Sequence, residues 1–406
     1  MITNLLANEV GKFTAHYQKA LLHGLKSVSA KAIEQAAHFL QGVLNDEGTL
    51  YIFGNGGSYA LARHFEAILK EEFRNSSTRL RTNCGIDPCA VQSSSQNSFT
   101  DFFVNVLKTE KANAQDMVLL ISGSGDSDNL IRAARYARRR GVPTISVSGF
   151  GGGKIAGNKT DLVITVPIND QQIVEDVMQP LLRLVAQSTA TLAGGKRHDV
   201  HRKLRACVNE LSKSLTAVSG SFVLSLASAV SQAFFDDRGV YVLAPEGGRL
   251  ALSAEHTAHN FNWDAVYRIK RPPQRRIYST LTGCDFSGIS NDRLMAGIAQ
   301  VQQLDKARPD DLLLLFVHDP TAGPVRNALR KANQQEMKIF LASGTSLESQ
   351  ATVTPDLMQM IGHMTARVVR LCVRQKLGEK INEDIATTLI KQDMAQRRLL
   401  KTRAGT

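Results

Sequence analysis

The sequence predicts a parallel α/β fold, present twice. Three observations carry that reading: apolar strands alternate with helical patterns, glycine- and serine-rich turns follow two of those strands, and the second half repeats the first about 190 residues later. Such alternation implies a parallel sheet covered on both faces, with ligands outside the carboxyl ends of its strands.

Taken in order, residues 1 to about 47 read as helices, with an apolar stripe through Leu21, Leu25, Val28, Ile33, Ala36, Leu40 and Val43 at helical spacing. Leu50-Tyr51-Ile52-Phe53 is a buried strand that runs straight into Gly54-Asn55-Gly56-Gly57-Ser58. Glycine lacks the Cβ that would hold a ligand off the backbone. The helix expected from Tyr59 to about Phe73 aims its free N–H groups and positive dipole end at the same turn. A short strand at about 79–83, a polar segment at 92–98 and a helix at about 99–107 come next. The apolar run 117–121 then enters a second such turn, Ser122-Gly123-Ser124-Gly125-Asp126-Ser127, followed by a helix to Arg140 and a strand at 143–147. Two loops suited to anions, each at a strand end, suggest one site.

The chain of 406 residues, 43% hydrophobic and 21% charged, has the composition of a globular protein with room for two or three domains. Its five cysteines, Cys84, Cys89, Cys207, Cys284 and Cys372, lack metal-ligand spacing, so reduced thiols in a cytoplasmic setting are expected, with no metal and no cofactor. The N-terminus has no basic region followed by an apolar run, and nothing approaches the roughly 18 apolar residues of a membrane span. Neither export nor a membrane is expected. The formal charge of +12 favours anions without choosing among metabolites, acidic proteins and nucleic acid. Arg132, Arg135, Arg138, Arg139 and Arg140 lie on a helix opposite Leu130, Ala133, Ala134 and Ala137; a solvated outer face is the simpler reading. No aromatic residues interleave with them to stack bases, so nucleic acid is not an expected partner.

The repeat is visible in two registrations. Residues 45–57 lie over 236–248, which puts Gly48 over Gly239 and Gly56-Gly57 over Gly247-Gly248. Asp116-Met117-Val118-Leu119-Leu120 lies over Asp311-Leu312-Leu313-Leu314-Leu315, and continuing without a gap brings Ser148-Gly149 over Ser343-Gly344. The expected division is a first domain at 1–195, a degenerate second copy at 196–385 and a basic tail at 386–406. The copies differ at the loops: Ser122, Ser124 and Ser127 become Val317, Asp319 and Ala322, while Asn55 and Ser58 become Glu246 and Arg249. An anion site built from hydroxyls and amides cannot survive there in that form.

The first half resembles the sugar isomerase (SIS) domain family and, within it, the phosphoheptose isomerases. The matching residues are Gly54-Asn55-Gly56-Gly57-Ser58 with His64-Phe65, then Ile121 to Ser127, Ser148 to Gly157, and Ile164-Thr165-Val166-Pro167. The resemblance implies that each half is a flavodoxin-like five-stranded sheet flanked by helices. It further implies a phosphorylated sugar, of heptose type, held by Asn55, Gly56, Gly57, Ser58, Ser122, Ser124 and Ser127, in a homo-oligomer. Asp126 stands where the family pattern has Asn, and would repel phosphate unless it turns away to cap the helix.

Isomerisation needs a base and an acid with tuned pKa values, and here the sequence departs from the family. The family's catalytic glutamate falls on Ile68, its second histidine on Leu182, and its glutamine near Val174, with Gln171 or Gln172 as substitutes. The remaining catalytic candidates are His64, Glu66, Glu255 and His363, with His256 and His259 beside the latter pair on equivalent helices. Glu66, Glu71, Glu72, Glu175 and Asp176 read most simply as solvent-facing acids. Two functions are therefore expected as alternatives: an aldose–ketose isomerase-like protein with an altered catalytic site, or a non-catalytic sugar-phosphate sensor or protein-binding regulator.

Overall fold

The computed structural model describes residues 2–74, 76, 80–85, 99–157, 160–196, 199–266, 269, 272–274, 276–279, 301–342 and 354–378. The chain divides into two compact units, Ala20–Asn209 and Met1–Lys19 with Glu210–Thr406.

The predicted prelude forms α1 (Ile2–Lys26) and α2 (Ala30–Asn45). Between them Ser29 caps α2 by accepting the Ala32 N–H, a standard way to satisfy an otherwise unpaired helix-start donor. The apolar stripe from Leu21 to Val43 is buried throughout.

In the 20–209 unit, β1 (Thr49–Phe53), α3 (Gly57–Glu72), β2 (Arg81–Asn83), α4 (Phe102–Thr109), β3 (Met117–Ser122), α5 (Asp128–Arg139), β4 (Thr144–Ser148), β5 (Leu162–Thr165) and α6 (Gln171–Ala193) follow in order. The sheet is β2-β1-β3-β4-β5 and parallel throughout, with Leu50 opposite Met117, Val118 opposite Thr144 and Ile145 opposite Leu162. Its face bearing Tyr51, Phe53, Val118 and Leu120 packs on α4 and α5 through Phe103, Leu107, Leu130, Ala133, Ala134 and Ala137. Phe53 and Phe103 stack with ring centroids 4.4 Å apart. The arginines of α5 consequently face out: Arg132, Arg135, Arg138 and Arg139 are exposed, as is Arg140 beyond its end. On the other side α2 and α3 pack against α6. The strand order reverses between β1 and β3, which brings their two loops side by side, the usual crevice for ligands in such sheets.

The other unit reuses the plan with α7 (Val200–Thr216, which starts in the 20–209 unit), α8 (Gly220–Phe235), β6 (Gly239–Leu243), α9 (Gly248–Trp263), β7 (Arg276–Tyr278), β8 (Leu312–Phe316), α10 (Gly323–Gln334), β9 (Lys338–Ala342) and α11 (Pro355–Lys376). Its sheet is β7-β6-β8-β9, again parallel. Four strands are found among the described residues; a fifth, expected before α11, falls outside them, as do the Ser343-Gly344 pair and the basic tail. The repeat boundary near residue 195 lies inside the 20–209 unit, and α1 begins with the other unit.

One aspartate in each copy organises the strand starts. Asp116 accepts the Thr49 N–H at 2.8 Å and the Asn113 N–H at 2.9 Å. Asp311 does the same for Gly239 at 2.7 Å and Arg308 at 2.8 Å. Thr49 therefore corresponds to Gly239 and Tyr51 to Tyr241, one residue away from the ungapped registration. That registration was anchored on the glycines of the loop; the second copy has one more residue between its strand and its loop. The two tyrosines share an environment: burial first, then Asp116 and Glu110 for Tyr51 and Asp311 and Tyr278 for Tyr241, pushes each phenol up to about 12.

Asp116→Ala removes the acceptor shared by the Thr49 and Asn113 N–H groups at the starts of β1 and β3. Asn113 is exposed, so water replaces its bond, whereas Thr49 is half-buried; at roughly 1–3 kcal/mol for a buried donor left unpaired, urea unfolding should show a loss of about 1–2 kcal/mol.

Candidate functional site

The first loop is fixed from both sides. Asn55 and Asn129 exchange reciprocal amide hydrogen bonds, Nδ2 to Oδ1 at 3.0 Å and back at 2.8 Å, with Asn129 fully buried on α5. The Ser58 hydroxyl accepts the Gly123 N–H at 3.2 Å, so the loop after β1 is tied to the loop after β3. Gly56 has φ 53° and precedes α3 with no side-chain cap, which leaves the start of that helix without a hydroxyl or carboxylate from the capping position.

The second loop folds on its own hydroxyls. Ser122 accepts the Gly125 N–H at 2.9 Å and Ser124 the Asp126 N–H at 3.2 Å. A hydroxyl that accepts in this way keeps its proton to donate elsewhere. Ser127 occupies the capping position of α5 with extended backbone, yet its hydroxyl makes no cap hydrogen bond. Asp126 turns away, but not to the helix start that was expected: its Oδ1 accepts the Lys154 N–H at 2.9 Å and so belongs to the glycine-rich turn Phe150–Ile155. Gly125 accepts from Ile155 at 2.9 Å on the same seam.

Two side chains from the start of α6 complete the crevice. A Cβ on Gly57 would meet the Glu175 carboxylate at 2.5 Å, and one on Gly123 would meet the Gln171 amide at 2.9 Å. Both glycines are therefore needed for close approach. Gln171 donates to Glu175 at 3.0 Å, so amide and carboxylate form one polar group against both loops. Val174, at the position expected for a glutamine, instead packs on Gly149, where a Cβ would lie 2.5 Å from its methyl.

Of the other sequence candidates, His64 is buried at 1% exposure on α3. Glu66 is also buried and is engaged structurally: it accepts from Thr82 at 2.7 Å and pairs with Lys70 at 3.1 Å and Arg63 at 3.3 Å. Burial, and next the Glu66 carboxylate, pushes the free Cys84 thiol well up. Glu66, Glu175 and Asp176 are thus not solvent-facing, because each lies on a helix face that packs inward; Glu72 is exposed. Ile68 and Leu182 are both buried at 2% exposure. Glu255, His256 and His363 belong to the other unit, where the His256 and His363 rings meet edge-on at 5.1 Å and His256 Nδ1 lies 3.2 Å from Gln359 Oε1.

Sequence reasoning gave no role to Asn129 and too small a one to Glu175. A polar residue inside the inward stripe of each helix was the available signal: Asn129 precedes Leu130 and Ile131, and Glu175 follows Ile173 and Val174.

The SIS domain family matches residues 15–149 and, by a second family description, residues 108–193. A phosphoheptose isomerase of Edwardsiella ictaluri is 34% identical over 136 residues, 34% of this chain and 70% of that protein. The chain belongs to the SIS domain family. A Helicobacter pylori phosphoheptose isomerase is 27% identical over 204 residues, half of this chain and all of that protein. Among solved structures, glucosamine-6-phosphate deaminase from Thermotoga maritima has a TM-score of 0.54 at 10% identity, over 93% of this chain and 96% of that one. The C-terminal domain of glucosamine-fructose-6-phosphate aminotransferase from Francisella tularensis has 0.51 at 10% identity, over 87% and 95%. These two show the fold: mixed α/β, consistent with two tandem SIS domains. SIS membership also supports a function related to sugar phosphates. Among the described residues, no single helix is long and apolar enough to cross a membrane.

Gly125 has φ 69°, and a Cβ there would run into the Gly152 carbonyl. Gly125→Ala should therefore cost at least about 1–2 kcal/mol from the left-handed backbone alone, seen as a lower thermal midpoint, and should loosen the seam between Gly125 and Ile155.

Proposed function

We propose that the chain binds a phosphorylated sugar of heptose type at the paired loops of the 20–209 unit, as an aldose–ketose isomerase-like protein with an altered catalytic site. Its expected form is a cytoplasmic homo-oligomer. The observation that carries the reading is the second loop, in which Ser122 and Ser124 accept backbone N–H groups and Ser127 leaves its own helix uncapped. Three hydroxyls then stand on one loop, which the Ser58–Gly123 hydrogen bond ties to the first turn of α3, with Asp126 turned onto Lys154. Hydroxyls, backbone N–H groups and a helix start are the donors a phosphate monoester requires. In this reading Asn55 and Ser58 hold the sugar phosphate from the first loop, and Gln171 with Glu175 supplies polar groups beside it. The phosphoheptose isomerases among its relatives support the substrate class.

A specific observation favours the non-catalytic alternative, sugar-phosphate sensing or protein-binding regulation. Ile68 and Leu182, where the family resemblance puts ionisable groups, are apolar and packed. Binding and turnover are separable, because the phosphate loop does not touch the carbons between which a proton moves.

Calorimetric titration with sedoheptulose 7-phosphate tests both halves of this reading. The Ser124→Ala, Ser127→Ala double variant should bind about tenfold or more weakly, since a hydrogen bond to a charged group is worth about 1.5–3 kcal/mol; unchanged affinity with the fold intact would reject the site. Conversion of the bound sugar by the wild-type chain should fall about 10²–10⁴-fold below that of an enzyme with both proton-transfer groups.

A further inference from the structure

We propose that the second copy carries a latent anion site which Glu246 closes by standing in for the ligand. The loops after β6 and β8 keep the layout of the first copy. Gly247, with φ 74°, precedes α9 as Gly56 precedes α3. The stretch from Asp311 to α10 has the length of the stretch from Asp116 to α5, so His318 corresponds to Gly123 and Asp319 to Ser124. In the first copy the Gly123 N–H goes to the Ser58 hydroxyl. In the second, the His318 N–H donates to Glu246 Oε2 and the Asp319 N–H to Glu246 Oε1 at 2.9 Å. One carboxylate thus takes two successive backbone donors through its two oxygens. That is how a bound oxyanion sits on a peptide turn.

The rest of the loop is arranged to keep external anions out. Asp319 adds a second carboxylate, held below its ordinary range by hydrogen bonds from the Thr321 hydroxyl and N–H. Val317 and Ala322 replace two hydroxyl donors of the first copy. Glu246 is tethered within the same unit, so its local concentration at the two N–H groups far exceeds that of a metabolite. The consequence is one phosphate-binding loop per chain, not two. The comparison with the first loop rests on the sugar-phosphate reading above, whereas the masking itself rests only on the Glu246 contacts.

The test is an amide NMR titration of the full chain with inorganic phosphate, following Gly123 and Ser124 in one copy and His318 and Asp319 in the other. In the wild type the His318 and Asp319 signals should stay in place. In Glu246→Ala, and in Glu246→Asn, which restores the residue of the first loop, they should shift saturably with an apparent affinity about tenfold or more below that of the first loop, which has hydroxyl donors. Saturable shifts in the wild type, or none in a folded Glu246 variant, would overturn the proposal. Movement at His318 and Asp319 in the wild type contradicts masking whatever the variants do. Gly123 and Ser124 report independently: if they stay in place, the reading of the first loop fails while the masking at Glu246 is judged on its own signals.

Discussion

The structure of the 20–209 unit depends on one constraint, the reversal of strand order between β1 and β3. It sets two strand ends side by side, so that the loops after β1 and β3 meet. Two short cross-links make the pair of loops one object: the Asn55–Asn129 amide exchange and the Ser58–Gly123 hydrogen bond. Each is an ordinary interaction, worth about 1 kcal/mol net. Their value is positional, since they fix the serine loop and the start of α3 relative to each other; for a ligand at the proposed site that would lower the ordering cost of binding.

The glycines follow from the same constraint. Gly57 and Gly123 admit the Glu175 carboxylate and the Gln171 amide to within contact of the backbone, and Gly149 admits Val174. A methyl group at any of the three would separate α6 from the loops. The crevice is therefore built from backbone and from the start of α6, whose Gln171 and Glu175 hydrogen-bond to each other.

Much of this was legible in the sequence because the signals were local. A run such as Leu50 to Phe53 ending in Gly-Asn-Gly-Gly-Ser states both a buried strand and a place where backbone must be approached. The alternation of elements gave the parallel sheet, and the serine loop lies at the strand end where it was expected. What was not legible is long-range pairing. Nothing near Asn55 in the chain announces Asn129. The acids Glu66 and Glu175 have the composition of a solvent face, and only packing turns them inward. The one-residue offset between the copies was hidden because the glycines that anchor the comparison sit beyond the extra residue; the matching roles of Asp116 and Asp311 reveal it. The stretch where a fifth strand of the second copy was expected, and the basic tail, lie outside the described residues.

The central claim, that one family-type phosphate site lies on the serine loop of the 20–209 unit, is tested most directly by a crystal structure of the chain soaked with sedoheptulose 7-phosphate. The account predicts phosphate density within hydrogen-bonding distance of Ser122, Ser124 and Ser127, with Asp126 still on the Lys154 N–H and Glu246 still on His318 and Asp319. Density beside Val317 to Gly323 and none at the serine loop would contradict it.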